Sequence, residues 1–454
     1  MTRTIPQRLS WSQRLSYAAP AFALAAVGLP IFIYIPKFYT DVVGVNVSVF
    51  GAVFLAVRTF DAVTDPLMGV LSDRTRFQWG RRRPYIAYGS IPLGIAILML
   101  YAPPSHLGQF GATIWLIISV FLLFSAWTAV TVPYESLGLE LSEEYDERTT
   151  ILGIREALLF LGTLLAVASP PAIATLMGFA DTHQGERDRY FWFAAVYGPA
   201  VIITCWTCAI FVRERTNPVR QVESITAKSA AHVLKNRPFR ILLLSYTVSA
   251  FGSTLPATLL PYYVTYVLKS DKIPVYLLSY FVTGVVCLPF WVRLSNKLGK
   301  KTTWLFAMAV NTLPFSLVPL LRAGDELGYG LIVVACGLAA AAVVAIPSSM
   351  QADVLDYDEM MTGQRREGQY MGLWSISKKM SAALGVGLAL PILDSVGYVP
   401  NMPQSPQVLS VLTLLYVAVP VVCNVIAIFL ALPYPIDRKE HAEIRQTIRN
   451  QRNR

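Results

Sequence analysis

Two aspartates lie in a stretch of sequence that is otherwise apolar. Asp61 and Asp65 are four residues apart within the run from Val49 to Leu71, so on a helix both would project from the same face. An unpaired carboxylate at membrane depth costs about 2.5–3.5 kcal/mol, and two neighbouring carboxylates also repel each other. A bound cation, or a proton on one of the two, would offset this cost.

Arg58 lies one turn before Asp61 and is a nearby candidate for the counter-charge. Two interpretations follow. In one, Arg58 and the two aspartates form a static ion pair that holds helices together. In the other, Arg58 offsets part of the charge, and a cation or proton offsets the remainder. Ionisable residues inside membrane spans lie more often on ion paths than in purely structural locks, which favours the second interpretation.

The composition indicates an integral membrane protein. Of the 454 residues, 54% are hydrophobic and only 15% are charged, whereas about a quarter are charged in a typical soluble protein. About twelve apolar runs of roughly 18 to 25 residues are long enough to span a bilayer as helices. The five cysteines lie in such runs and indicate small buried hydrophobic residues rather than a disulfide framework. We therefore predict an all-α membrane protein with twelve transmembrane helices.

The distribution of basic residues predicts the orientation of these spans. Most of the 38 Lys and Arg residues lie in the terminal segments and in the loops on one side of the predicted membrane. By the positive-inside rule both termini are cytoplasmic, which requires an even number of spans. This topology explains the net charge of +10, so the charge does not indicate a nucleic-acid partner.

A polar stretch divides the spans into two halves. We predict an N-terminal six-helix bundle over residues 1–212, a cytoplasmic linker over 213–238, a C-terminal six-helix bundle over 239–433 and a cytoplasmic tail over 434–454. The halves repeat weakly, because the segment from Asp65 to Arg74 after the second span is echoed by the segment from Leu288 to Lys301 after the eighth. Two related bundles of six helices are typical of major facilitator transporters.

The segment around the two aspartates carries a more specific resemblance. It reads Asp61-Ala-Val-Thr64-Asp65-Pro66-Leu-Met-Gly69, and it is preceded by Tyr39-Thr40-Asp41-Val-Val-Gly44 and followed by Arg81-Arg82-Arg83-Pro84. In these motifs the chain resembles the melibiose permease family, the glycoside-pentoside-hexuronide cation symporters of the major facilitator superfamily. Further matches extend the resemblance over nearly the whole chain: Val132-Pro133-Tyr134, Glu147-Arg148-Thr149, Arg155, Tyr262-Tyr263 and Lys378.

The resemblance implies a cation site on the second and fourth spans. In the family, two acids on the second helix, a side-chain oxygen beside the second acid and a threonine on the fourth helix coordinate the coupling cation. The matching positions here are Asp61, Asp65, Thr64 and Thr128. Oxygen ligands suit hard cations such as Na+, but two close carboxylates can also hold a proton. We therefore expect Na+ or H+ as the coupling ion and no other cofactor.

The resemblance also implies substrate-binding positions, and this chain departs from the family pattern at three of them. Arg155 and Lys378 match an arginine on the fifth helix and a lysine on the eleventh. Ala25 and Thr131 stand where the family has acids, and Glu135 stands where it has an aromatic residue. The two absent carboxylates would accept sugar hydroxyls, so galactoside specificity does not carry over to this chain.

Arg155 and Lys378 have two alternative kinds of partner. They could form ion pairs with Glu135 or Glu156, or they could bind an anionic substrate such as a uronide. Because each half contributes one of the two cations, a role in the substrate cavity is favoured. Trp374, just before Lys378, is a candidate surface on which a substrate could stack.

Charged residues after the second span are candidates for a gate. Asp73, Arg74, Arg81, Arg82 and Arg83 could clamp the cytoplasmic ends of helices in the outward-facing state. Candidate partners are Glu140, Asp353 and the segments from Tyr145 to Arg148 and from Asp356 to Glu359. A solvated loop without a gating role is an equally good interpretation.

These observations predict a secondary transporter rather than an enzyme. It would couple a Na+ or H+ gradient to movement of a sugar, glycoside, uronide or similar small solute across the plasma membrane by alternating access. The alternative cargo is a lysophospholipid or another amphiphile, because a vertebrate branch of the family carries lysophospholipids and this cavity lacks sugar-accepting acids. The expected partners are the substrate, a monovalent cation and membrane lipid, and the expected state is a monomer.

Overall fold

The computed structural model describes residues 9–75, 77–141, 145–180, 182–214, 233–363 and 366–452. Within these ranges the chain is predominantly helical, and the only extended pairing is an isolated bridge between Phe77 and Gly80. The chain divides into two compact units, Met1–Gln221 and Val222–Arg454.

The N-terminal unit contains six candidate membrane spans. They are α1 (Trp11–Leu24) with α2 (Leu29–Lys37), then α3 (Val47–Arg74), α4 (Arg83–Tyr101), α5 (Gln109–Glu140), α6 (Tyr145–Met177) and α7 (His183–Phe211). In this numbering α3 is the second span and α5 is the fourth.

The C-terminal unit contains six further candidate spans. They are α8 (Arg237–Tyr262), α9 (Ile273–Leu298), α10 (Lys300–Phe315), α11 (Glu326–Thr362), α12 (Glu367–Ser395) and a last span made of α13 (Pro406–Thr413) and α14 (Val419–Ala431). The twelve candidate spans within the described ranges confirm the predicted fold class. Large apolar side chains such as Leu67, Ile203 and Val286 are exposed on the outside of these helices, as expected for surfaces that face lipid.

The first span is interrupted near its middle. After Leu24 the chain forms a 3-10 turn over Ala25–Val27, and Gly28 separates this turn from α2. Pro30 stands in the first turn of α2, where its missing N–H costs no intrahelical hydrogen bond. The substrate position predicted at Ala25 therefore lies at a break in the helix rather than inside a continuous one.

The first span of each unit ends in the same way. A π-helical turn over Phe38–Val43 is followed by Gly44 at φ 87°, and one over Tyr263–Leu268 is followed by Lys269 at φ 56°. In each case the next backbone N–H donates back into the turn, from Val45 to Tyr39 O at 2.9 Å and from Ser270 to Val264 O at 3.0 Å. This shared ending supports the internal repeat that the sequence suggested.

The C-terminal helix α15 (Arg438–Arg452) packs against its own unit. Ile444 and Ile448 are buried, so the apolar stripe of this basic helix faces protein. Its first turn is capped by Asp437, which accepts from the backbone N–H groups of Lys439 at 2.7 Å and Glu440 at 2.9 Å. These two donors hold the pKa of Asp437 below its usual value.

A reciprocal cap joins the start of α4 to the end of α7. The Glu214 carboxylate accepts from the backbone N–H groups of Arg81, Arg82 and Arg83, at 2.9, 2.8 and 2.7 Å. In return the Arg83 guanidinium donates to the carbonyl oxygens of Ala209 and Ile210 at the end of α7. Both contacts give a charged partner to backbone groups at a helix end, which have no hydrogen-bond partner within the helix.

Gly80 makes room for this cap. Its φ of +116° lies in the region that favours glycine, and an added Cβ would lie 2.7 Å from the carboxyl carbon of Glu214. The glycine of the Gly-Arg-Arg-Arg loop is therefore required by backbone geometry and by the approach of a carboxylate.

Replacing Glu214 with alanine should destabilise the protein. The substitution removes the acceptor of three backbone N–H groups, and we expect a loss of about 1–3 kcal/mol. Thermal unfolding of the purified protein measures the effect. The matched control is Glu443→Ala, at an exposed glutamate on α15, which should leave the midpoint unchanged. Equal midpoints for both variants would show that the cap adds no stability.

Candidate cation site

The predicted acids lie between α3 and α5 inside the N-terminal unit. Asp61 is only 1% exposed, and its Oδ2 lies 3.1 Å from Nη1 of Arg58 on the preceding turn of the same helix. Arg58 itself is 9% exposed. The ion pair is therefore enclosed by protein, where removal of one partner is costly.

Two aromatic rings hold the arginine in place. The guanidinium carbon of Arg58 lies 4.2 Å from the ring centroid of Phe124 on α5 and 4.7 Å from that of Phe32 on α2. Stacking of a guanidinium on aromatic faces is favourable, and more so away from water. Sequence reasoning did not find these two phenylalanines. The spacing of Phe124 could have identified it from the sequence. It lies four residues before Thr128, so the two side chains share one face of α5.

Thr128 connects the two carboxylates. Its Oγ1 lies 2.6 Å from Asp61 Oδ1 and 3.0 Å from Asp65 Oδ1. A threonine hydroxyl carries a single hydrogen, so it cannot donate a full hydrogen bond to both carboxylates at once. The hydroxyl hydrogen can be shared unequally between the two carboxylates, or a cation bound among these oxygens can take the place of one hydrogen bond. This arrangement is the strongest structural argument for an ion site in the described part of the chain.

The charges of the cluster favour a monovalent ion. Arg58 carries one positive charge, and Asp61 and Asp65 each carry one negative charge when ionised. The three side chains then sum to one net negative charge. One proton or one Na+ would neutralise this sum, whereas a divalent cation would overcompensate it.

The structure does not use Thr64 in the same way as Thr128. The Thr64 hydroxyl donates to the backbone oxygen of Asp61 at 3.2 Å, one turn earlier on α3. Thr64 is three residues after Asp61, on the same side of the helix, but it is adjacent to Asp65, and adjacent residues do not face each other. The structure thus brings together three of the four predicted cation ligands and directs the hydroxyl hydrogen of the fourth to its own helix.

The predicted substrate residues of the N-terminal unit have different surroundings. Ala25 is buried in the break of the first span. The Thr131 hydroxyl donates to Trp127 O at 2.8 Å on its own helix, and Glu135 is exposed. Arg155 forms an ion pair with Glu156, which is one of the two partners that were considered for it.

The two predicted substrate residues of the C-terminal unit also differ. Lys378 is exposed. Trp374 is 8% exposed, and its ring stacks on Tyr246 at a centroid distance of 4.1 Å. One face of the indole is therefore already covered by protein, which leaves less of it for a substrate than the sequence suggested.

The candidate gating residues are only partly described. Arg81, Arg82 and Arg83 take part in the cap with Glu214. The side chains of Asp73, Arg74 and Glu140 lie outside the described part of the chain, as do those of Tyr145, Asp146 and Arg148.

Acids that were proposed as gating partners have counter-charges within their own units. Glu147 Oε1 lies 3.3 Å from Arg14 Nη2, and Asp353 Oδ1 lies 2.6 Å from Lys300 Nζ. Asp358 pairs with Arg366, and this partner raises the pKa of Arg366. The gating role of the arginine loop stays a prediction.

A family match covers almost the full length of the chain. A model described as MFS/sugar transport protein matches residues 16–438. The chain belongs to this family. The uncharacterized symporter YnaJ of Bacillus subtilis (strain 168) is 28% identical over 98% of this chain and 96% of its own. The isoprimeverose transporter of Lactiplantibacillus pentosus is 26% identical over 95% of this chain and 90% of its own.

Two more distant likenesses complete the comparison. The sodium-dependent lysophosphatidylcholine symporter 1 of Gallus gallus is 23% identical over 98% of this chain and 91% of its own. Among solved structures, the nucleoside transporter NupG has a TM-score of 0.67 at 13% identity, covering 92% of this chain and 99% of its own. This last likeness shows the transporter fold. Family members are transporters, so the chain is a membrane transporter and not an enzyme.

The ion pair gives a stability prediction. Arg58→Met leaves the buried Asp61 carboxylate without its guanidinium, and we expect a loss of about 3–5 kcal/mol. The double variant Arg58→Met/Asp61→Leu removes both charges and should recover most of that loss. Thermal unfolding measures these two variants and the single variant Asp61→Leu, with Arg449→Met on the exposed face of α15 as the control. Simple additivity of the two single substitutions would contradict a coupled pair.

Proposed function

We propose that the protein is a secondary active symporter. It couples the entry of Na+ or H+ to the movement of a sugar, a glycoside, a uronide or a similar small organic solute by alternating access. The coupling ion binds at Asp61 and Asp65 with Thr128, while Arg58 pairs with Asp61 and holds its carboxylate in place. We place the protein in the plasma membrane as a monomer with both termini in the cytoplasm.

The observation that supports coupling is the shared hydroxyl of Thr128. It contacts carboxylate oxygens of two acids that are one turn apart, and two carboxylates that share one neutral ligand make a suitable set of oxygens for a monovalent cation. When a cation enters, the repulsion between the acids decreases, and α3 and α5 are drawn together by common ligands. When the cation leaves, the charge returns. A cluster of this kind favours one arrangement of the helices when it is loaded and another when it is empty.

The proposed cargo class rests on the family and on the basic residues at the predicted substrate positions of each unit. Relatives include a transporter of the disaccharide isoprimeverose. Arg155 and Lys378 each supply positive charge. Ala25 and Thr131 stand where the family has acids, and acids at these positions would repel an anion. We therefore propose that this chain accepts an anionic sugar such as a uronide better than a neutral galactoside.

A lysophospholipid is the second candidate cargo. One relative is a sodium-dependent lysophosphatidylcholine symporter, and the buried Ala25 gives an apolar lining where the family has an acid. The sugar transporters match over similar lengths with higher identity, which favours the sugar.

Neutralising either acid should uncouple transport. In proteoliposomes with an inward Na+ or H+ gradient, we expect Asp61→Asn and Asp65→Asn to lower substrate accumulation about tenfold or more, because the residual charge that attracts the ion is lost. The probes are isoprimeverose, a methyl glucuronide and a lysophosphatidylcholine. Asp188→Asn, near the start of α7 and hydrogen-bonded only locally to Gln184 at 2.8 Å, is the matched control. Wild-type accumulation in both site variants would remove the coupling proposal.

The charge of the cargo gives a separate prediction. Arg155→Gln should raise the KM for the methyl glucuronide about tenfold, since a charge-assisted hydrogen bond to the carboxylate is lost, and should change the KM for isoprimeverose much less. Initial uptake rates over a range of substrate concentrations give both constants. Equal effects on the two sugars would show that Arg155 does not select for the anionic group.

A further inference from the structure

A second hydroxyl on α5 stands one turn before Thr128 and has no role in the account above. Ser125 stands three residues before Thr128. Its Oγ is buried, and within the described part of the chain it has no hydrogen-bond partner. A buried hydroxyl without a partner is destabilising, so its presence at this position calls for an explanation.

The behaviour of the other hydroxyls on α5 makes Ser125 unusual. Ser119 donates to Trp115 O at 2.6 Å, and Thr131 donates to Trp127 O at 2.8 Å. A helical serine or threonine can satisfy itself in this way with the carbonyl one turn earlier. Thr128 departs from that pattern because it faces the acids. Ser125 departs from it too, and nothing in the described structure replaces the missing bond.

The neighbours of Ser125 place it on the side of α5 that faces α3. Phe121, one turn before it, packs on Phe60 at a centroid distance of 4.7 Å. Phe124, next to it, lies under the Arg58 guanidinium. Thr128, one turn after it, contacts both acids. Ser125 is therefore bracketed by three residues that all contact the segment of α3 from Arg58 to Asp65.

We propose that the Ser125 hydroxyl is a further neutral ligand of the coupling ion and favours Na+ over H+. This inference rests on the proposed function, and it deepens the site at Asp61, Asp65 and Thr128. A Na+ ion that leaves water needs several oxygens around it, whereas a proton needs a single carboxylate oxygen. An extra buried oxygen thus stabilises the larger ion selectively. Binding of that ion would also satisfy the otherwise unmet hydroxyl.

Direct binding of 22Na+ to the purified full-length protein tests the inference, with choline replacing Na+ in the reference buffer. We expect Ser125→Ala to raise the Kd for Na+ about tenfold, as for the loss of one polar contact to a charge. Ser125→Thr keeps the oxygen and should stay within about twofold of wild type. Ser119→Ala removes a buried hydroxyl that is bonded to its own helix, and its Kd for Na+ should equal that of wild type.

A second readout separates ligation from a structural role. Without Na+, Ser125→Ala should unfold at the wild-type temperature or higher, because the substitution removes an unsatisfied buried group. With saturating Na+, its thermal stabilisation should be smaller than that of wild type at equal Na+ concentration. A lower midpoint without Na+, together with an unchanged Kd, would assign Ser125 to packing and overturn the inference.

The failure of this inference can be distinguished from failure of the proposed function. An unchanged Kd for Na+ in Ser125→Ala, or a wild-type protein that binds no 22Na+, overturns the role of Ser125. Coupling itself would then still be supported if Asp61→Asn abolishes H+-driven accumulation while Ser125→Ala retains it. If Asp61→Asn leaves accumulation intact, the proposed function fails whatever Ser125 does.

Discussion

The burial of negative charge beside α5 is the constraint on which the rest of the account depends. Asp61 is almost fully enclosed, and an isolated carboxylate in such a place would be strongly destabilising. The structure offsets its charge with Arg58, offsets the cost of burying Arg58 with the rings of Phe32 and Phe124, and orients the carboxylate with Thr128. Asp65 adds a second carboxylate that shares the same hydroxyl. Thr128 and Arg58 therefore link two helices and three charged side chains into one cluster, which is where we propose that the coupling ion binds.

The proposed site would connect a local electrostatic effect to the movement of helices. Its proposed ligands lie on two helices of one unit, so binding of an ion there would change the interaction between α3 and α5 directly. The ends of other helices in that unit are held by interactions of a different kind. Glu214 and Arg83 exchange caps between α4 and α7 around Gly80, and the π-helical turns close the first span of each unit. Because these helix ends are held, a change at the acids would alter the packing between helices.

Hydropathy was sufficient to predict the fold, spacing predicted that the two acids share a helical face, and the family resemblance suggested Thr128 as their neighbour. Twelve apolar runs became twelve candidate spans, and acids four residues apart did share one helical face with Thr128 opposite. Features that depend on the direction of a single side chain were not predictable. The Thr64 hydroxyl donates to its own backbone, the Trp374 ring is covered by Tyr246, and the Glu214 carboxylate reaches a loop more than 130 residues earlier in the chain. Each depends on a rotamer or on packing between helices, and neither leaves a periodic signal in sequence. The break at Ala25–Val27 was also not predictable, because the residues of this short 3-10 turn are as apolar as the rest of the span.

Isotope-edited infrared difference spectroscopy on the purified protein is the most direct test of the central claim. The account predicts that the carboxylate bands of aspartate change when Na+ replaces choline, or that a protonated carboxyl band grows as the pH is lowered, and that this change disappears in Asp61→Asn and Asp65→Asn. Aspartate bands that are identical in wild type and both variants under every ionic condition would contradict the claim that these two side chains bind the coupling ion.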